Sequence, residues 1–259
     1  MNPLLSASEV SKAFGGLKAV EKISFAAFPN QILSVIGPNG AGKTPLFNCL
    51  SGVYELDKGQ IFIEDRSIAG LQPYQICRQG IARTFQNIRL FSGMSALENV
   101  MVGRFSHDWV PPWDLLSHSK RYQQMDALSQ TEALGCLRFV GLESYANVWA
   151  RDLAYGLRRR LEIARALATK PRVLLLDEPG AGMNPSEIGG MIALIVEIKK
   201  KGLAIVLIEH HMKVVMDISD HIIVLDHGEK IAEGTPTEVR SNPQVIAAYL
   251  GKAHGKQEH

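Results

Sequence analysis

The chain is expected to adopt an α/β fold, with a mainly parallel sheet covered by helices on both faces. Three observations predict it. Short apolar runs of strand length alternate with segments of helical spacing. A strand, a glycine-rich turn and a helix follow one another between Ile32 and Leu50. A second apolar strand ends in two carboxylates, Asp177 and Glu178. Strands alternating with helices form parallel sheets because each crossover lays a helix on one face.

The elements follow in order. Ile23, Phe25 and Ala27 share one face of a half-buried strand, and Pro29-Asn30 marks a turn. Ile32 to Ile36 is the next strand, and Leu46 to Leu50 reads as a helix. From Ser95, the residues Leu97, Val100 and Met101 have helical spacing. Phe105 to Ser119, with Trp109, Pro111, Pro112 and Trp113, interrupts it as a surface loop or insertion. Its tryptophans form either an exposed contact patch or a self-packed loop. A helix resumes near Ser119 and runs to about Val140. Val173 to Leu176 is a strand, and Pro185 to Lys200 a helix with Ile188, Ile192, Ile195 and Ile198 on one side. Leu203 to Ile208 is a strand, His211 to Ile218 a short helix, and Ile222 to Leu225 a strand ending at the turn Asp226-His227-Gly228. The polar tail from Ala253 to His259 is expected to fray.

Composition narrows the class. The 259 residues are 46% hydrophobic and 21% charged, enough apolar material for a sizeable core. A net charge of +2 supplies no field that would draw the whole chain to nucleic acid or anionic lipid. Cys49, Cys77 and Cys136 form no CxxC pair and are expected as small buried thiols in a reducing compartment. The longest purely apolar run, Leu203 to Ile208, is far short of the roughly 18 residues of a membrane span. Met1 to Val10 does not read as a secretory signal.

Gly37-Pro38-Asn39-Gly40-Ala41-Gly42-Lys43-Thr44 fits the phosphate-loop pattern G-x-x-x-x-G-K-[ST], between a strand and a helix as that pattern requires. Its glycines let successive backbone N–H groups turn toward phosphate oxygens, and the helix adds the positive end of its dipole. Lys43 is placed to reach the β- and γ-phosphates and Thr44 to ligate Mg²⁺. Asp177, at the end of a strand beside this loop, can hold Mg²⁺ through water, and Glu178 can act as general base on the attacking water.

With these residues placed, the chain resembles the ATP-binding subunits of ABC transporters over nearly its whole length. The resemblance implies a P-loop NTPase of the ABC ATPase type: a mainly parallel core sheet, an antiparallel β subdomain and a helical subdomain. It also implies roles. Phe14 matches the aromatic that stacks on adenine, and Gln86 the glutamine that joins the Mg²⁺ site to the transmembrane partner. Leu153-Ala154-Tyr155-Gly156-Leu157 stands where the signature motif LSGGQ usually does, so Ala154, Tyr155 and Gly156 would close over nucleotide in a dimer. Gly182-Met183-Asn184-Pro185 matches the loop that crosses the dimer interface, and His210 the histidine on the γ-phosphate; His211 is then an exposed neighbour.

The segment Arg83 to Phe91, Leu153 to Gly156, Ile208 to His210 and Ala248 to Gly251 resemble the branch serving branched-chain amino acid uptake. The Phe105 to Ser119 insertion resembles the longer of that importer's two ATPase subunits. Urea or amide importers and a lipopolysaccharide-export ATPase are related alternatives. One ABC domain over 1–259 is expected, with a nucleotide-binding core at 1–93 and 152–259 and a helical subdomain at 94–151. Expected ligands are ATP and Mg²⁺. Expected partners are transmembrane permeases and a second, identical or paralogous, ATP-binding subunit, with no nucleic acid. The chain would sit peripherally on the cytoplasmic face of the inner (plasma) membrane. A soluble ABC ATPase of DNA repair or translation is disfavoured by the single cassette and the charge.

Two positions depart from the pattern. Pro45 replaces Thr or Ser, so the N–H facing the α-phosphate is missing, and proline disfavours a helical Thr44. Leu157 replaces the signature glutamine, and Ala154 lacks the signature serine hydroxyl. These changes keep a hydrolysis-impaired cassette in play. Arg158-Arg159-Arg160 is expected as a solvated face of the signature helix rather than a nucleic-acid patch.

Overall fold

The computed structural model describes residues 2–105 and 119–250. The insertion with Trp109 and Trp113 and the tail from Ala253 lie outside the described residues.

The larger sheet is built from β3 (Gln31–Ile36), β6 (Ile81–Arg83), β7 (Val173–Asp177), β8 (Ala204–Ile208), β9 (His221–Asp226) and β10 (Glu229–Gly234). Its order is β10-β9-β3-β8-β7-β6, and every pairing is parallel except the β9–β10 hairpin. This is the predicted mainly parallel sheet. Alternate side chains serve opposite faces. Leu33, Val35, Leu175 and Val206 enter one core, while Ile32, Leu174, Leu176 and Leu207 enter the other. A strand buried on both faces reads as a continuous apolar run, which is why these were visible in the sequence.

The second sheet is antiparallel, β2-β1-β4-β5, from β1 (Leu5–Phe14), β2 (Leu17–Ala27), β4 (Lys58–Ile63) and β5 (Arg66–Ser67). Ile23, Phe25 and Ala27 are buried on one face of β2, as predicted. The partner β1 escaped the sequence pattern because its register shifts between Ala7 and Val10 and again before Lys12, with Glu9 at φ 51°. Each shift breaks the two-residue period. Between the two sheets, α1 (Lys43–Leu50) buries Leu46, Phe47 and Leu50.

The third region is helical. α3 (Ala96–Arg104) follows α2 (Pro73–Gln79), and its N-terminus carries a reciprocal capping box: Ser95 Oγ accepts from Glu98 N, and Glu98 accepts from Ser95 N at 2.7 Å. α4 (Lys120–Phe139) starts at the cap Ser119 and stops at Val140, the predicted limits. α5 (Tyr155–Ala168) packs on α3 where Gly103 has no side chain; a Cβ there would lie 2.4 Å from the Arg165 carbonyl oxygen. Ala96 N bonds Val148 O and Ala150 N bonds Met94 O, tying the start of α3 to the segment before α5.

α6 (Pro185–Lys199) covers the second core with Met191, Leu194, Ile195 and Ile198. The predicted stripe is therefore rotated: Ile188 and Ile192 are half-buried flanks, and Met191 and Leu194 take the centre. α7 (Met212–Ile218), α8 (Pro236–Ser241) and α9 (Pro243–Leu250) close the chain around a small cluster of Ile36, Val215, Val224, Val239 and Val245. Among the described residues, no helix is long and apolar enough to cross a membrane.

Candidate active site

Register brings the site together. Val35 of β3 pairs with Ile208 of β8, and Asp177 of β7 pairs with the same Ile208. The three strands thus end side by side, and the chain leaves them as the loop from Gly37, as Glu178 and as Glu209-His210. In open α/β sheets, ligands bind in this position, beyond the carboxyl ends of the strands.

The loop from Gly37 to Gly42 wraps onto the β9–β10 turn. Gly228 N donates to Ala41 O, and Ala41 N closes a turn on Pro38 O. Gly37 and Gly42 have φ 152° and 101°, and a Cβ would fall 2.1 Å from Leu225 O and 2.3 Å from Ala19 O respectively. Neither position admits a side chain. The buried Lys43 donates its ammonium to Gly37 O at 2.7 Å and Pro38 O at 3.0 Å, folded back over its own loop. Thr44 is exposed and Pro45 half-buried, and both lie within α1. The expected conflict at Thr44 is thus absorbed. The first ladder bond of α1 runs from Leu46 N to Gly42 O, so no helix bond needs an N–H at 45.

Glu178 is the junction of the site. Its backbone is left-handed, φ 50°, where its N–H reaches Ile208 O at 2.9 Å. A non-glycine residue held there costs energy, as is common at functional positions. Its two carboxylate oxygens are shared: Gln86 Nε2 donates to Oε2 at 3.2 Å, and His210 Nε2 lies 2.6 Å from Oε1. Three residues named from the sequence thus meet at one carboxylate. His211 is exposed, 3.6 Å from Glu209.

Asp177 is buried and paired with Arg83 at 3.0 Å. Burial pushes its carboxyl above the usual range, and the Arg83 hydrogen bond opposes that. The same burial pushes the Arg83 guanidinium below its ordinary value. Arg83 also donates to Asn48 Oδ1 at 2.7 Å and Ser51 Oγ at 2.9 Å, linking β6, α1 and β7. Thr44, Gln86 and Asp177 offer only oxygen ligands for a metal, the hard donors that suit Mg²⁺. Phe14 ends β1, 44% exposed, with its ring edge-on to Tyr54 at 5.0 Å.

The structure places Ala154 as the cap of α5 and Tyr155 and Gly156 in its first turn. A Cβ on Gly156 would meet Glu187 of α6 at 2.7 Å. Leu157 packs half-buried against the helical core. The arginine run is not a solvated face. Arg159 is 3% exposed and donates to Phe85 O at 2.8 Å, Gln86 O at 2.5 Å and Tyr155 Oη at 3.0 Å. Arg158 caps the Leu153 carbonyl, and Arg160 reaches Val140 O at 3.1 Å. Sequence reasoning missed Arg83, Arg159 and the buried Glu162. The signal for the last two was spacing: Arg159, Glu162, Ile163 and Ala166 occupy one helical stripe.

Comparison with known proteins gives consistent matches. The family profile described as ABC transporter matches residues 20–181, and that of the branched-chain amino acid ATP-binding cassette transporter matches residues 229–255. The high-affinity branched-chain amino acid transport ATP-binding protein BraF of Pseudomonas aeruginosa is 44% identical over 252 residues, 97% of this chain and 99% of that protein. LivG of Escherichia coli K12, of the same description, shows the same identity and coverage. Among solved structures, the ADP conformation of an ATP-binding cassette of an ABC transporter superposes with a TM-score of 0.84 at 31% identity, covering 97% of this chain and all of that one.

Proposed function

This chain belongs to the ABC transporter ATP-binding family, and from that premise we propose that it drives import of branched-chain amino acids by hydrolysing ATP. The observation that carries the substrate is the 44% identity, over essentially full length, to two proteins described as branched-chain amino acid transport ATP-binding proteins.

The residues support the following cycle. ATP stacks its adenine on Phe14 and lays its phosphates along Gly37 to Pro45, and Lys43 leaves the Gly37 and Pro38 carbonyls for the β- and γ-phosphates. Thr44, Gln86 and Asp177 would hold Mg²⁺, which supplies charge neutralisation on the phosphates. Two chains pack head to tail, so that Ala154, Tyr155 and Gly156 of each cover the nucleotide of the other. Glu178 takes a proton from the water that attacks the terminal phosphorus. The bond from that phosphorus to the bridging oxygen breaks, and ADP and inorganic phosphate result. His210 steadies the terminal phosphate, and its contact with Glu178 keeps the base in place beforehand. Water excluded by the closed dimer strengthens each of these contacts.

Residues 1–93 and 152–259 act as the nucleotide-binding core and 94–151 as the helical part that meets the permeases on the cytoplasmic side of the membrane. A groove between the two, bordered by Val53, Ile76, Phe85, Val102 and Arg165, includes the residue just before Gln86 and suits a cytoplasmic segment of the permease. The test is reconstitution with the permeases and a solute-binding protein in vesicles. ATP-dependent leucine, isoleucine and valine uptake is expected; uptake of urea or amides alone, or none, refutes the substrate.

A further inference from the structure

In a head-to-tail dimer each chain serves two nucleotides. Its phosphate loop, Gln86 and Glu178 serve its own ATP, while Tyr155 touches the partner's. The structure joins these two groups by a continuous path. Tyr155 is 42% exposed, which leaves it open to a partner, while its hydroxyl turns back toward its own helix. That hydroxyl accepts from Arg159 Nη2 at 3.0 Å. The same nitrogen donates to the carbonyl of Gln86 at 2.5 Å, and Nη1 to that of Phe85 at 2.8 Å. Glu162, one turn along α5, balances the charge at 3.5 Å and accepts from Phe85 N at 3.3 Å. The backbone at Phe85-Gln86 is therefore gripped from both sides by one buried ion pair. The Gln86 side chain then donates to Glu178 Oε2. A second route runs in parallel: the Tyr155 ring stands 3.2 Å from where a Cβ on Gly182 would be, in the loop that follows Glu178.

We infer that Tyr155 and Arg159 are positioning residues that carry closure of the signature segment over the partner's nucleotide to Gln86 and Glu178 of the chain's own site. The inference rests on the dimer proposed above. A bidentate, desolvated guanidinium is rigid, so a shift of Tyr155 displaces the Gln86 carbonyl rather than being absorbed. Glu178 is shared by Gln86 and His210, so any such shift alters the hold on the catalytic base. Neither Arg159 nor Glu162 need touch nucleotide to do this.

The experiment measures ATPase rate against MgATP concentration in the assembled transporter, for the parent, Arg159→Lys and Tyr155→Phe. Lysine keeps the charge but cannot hold Tyr155, Phe85 and Gln86 in one plane. Phenylalanine keeps the ring on Gly182 and removes only the hydroxyl, on an exposed residue whose loss does not threaten folding. A parent Hill coefficient well above one is expected, falling to about one in both variants, while Arg159→Lys binds fluorescent MgATP within about twofold of the parent as an isolated chain. An unchanged Hill coefficient in both variants, or a parent value of one, overturns the relay. ATP-dependent dimerisation of Glu178→Gln is measured separately by light scattering. Its absence refutes the dimer itself, which keeps that failure apart from failure of the relay.

Discussion

Replacing Pro45 by threonine isolates one missing hydrogen bond. Pro45 stands in the first turn of α1, before the Leu46 N to Gly42 O bond, so no intrahelical contact depends on it. Thr44 stays helical despite the proline that follows, so the substitution need not rebuild the loop. What it restores is an N–H at the positive end of the helix, which in the proposed complex would meet phosphate. A hydrogen bond to a charged group is worth about 1.5–3 kcal/mol. Since about 1.4 kcal/mol is a factor of ten, MgATP should bind about tenfold or more tightly. The fold pays in the other direction, because proline restricts the unfolded chain and its loss costs about 0.4–1 kcal/mol. For a chain of this size that lowers Tm by roughly 1–4 °C. Nucleotide titration of the parent, Pro45→Thr and Pro45→Ala, with melting curves, reads both signs. Alanine restores the N–H without a hydroxyl and should match threonine in affinity. If neither variant binds MgATP more tightly than the parent, the N–H is not a phosphate contact.

Glu178→Gln should bind ATP, lose turnover and accumulate as a closed dimer; hydrolysis at the parent rate would remove Glu178 from its role. Leu157→Gln should raise the ATPase rate with little change in affinity, and because Leu157 packs on the helical core it should also lower Tm; an unchanged rate would show that Leu157 does not limit turnover. Cysteines placed between Gln86 and Asn99 should crosslink to a cytoplasmic loop of the permease, and crosslinks confined to α9 would refute that docking face. Burial pushes the Cys49 thiol up from 9.0 to about 11, so the fold favours the protonated form. This contribution to stability is complete below pH 9 and lost as pH rises through about 11. In a Cys77→Ser, Cys136→Ser background, Cys49 at pH 8 should react with a thiol reagent about a hundredfold more slowly than in denaturant. Equal rates would show that it is not sheltered.

What was legible from sequence were features whose chemistry is local. A strand buried on both faces must be apolar throughout, so β3, β7 and β8 stood out, and Gly37 and Gly42 of the glycine-rich loop are forced by close backbone approach. Gln86, Glu178 and His210 were named one by one, from three places in the chain. That all three meet at one carboxylate depends on the register of β7 and β8, which no local pattern carries. β1 and α6 show the same limit. Bulges hid the first, and the buried stripe of the second is set by what it packs against rather than by isoleucine spacing.

The buried arginines mark where residue type misleads. Arginine is almost never fully buried unless paired, so a run of three reads as surface. Arg159 is buried because Glu162 pairs with it and because its other partners are backbone carbonyls at Phe85 and Gln86, left by a chain departing a sheet edge where, among the described residues, no strand beyond β6 receives them. Those part-buried carbonyls need donors. A guanidinium supplies two in one plane and has a third to spare for Tyr155. Arg83, three residues before Gln86, serves side chains instead, donating to Asn48, Ser51 and Asp177 together. Each arginine thus fills a polar gap where β6 hands the chain to the Gln86 segment. In the function proposed above, that segment is also where nucleotide, catalytic base and permease groove meet. A rigid charged clamp on either side of it lets a displacement at one of the three be felt at the others, which loose, water-filled contacts would dissipate.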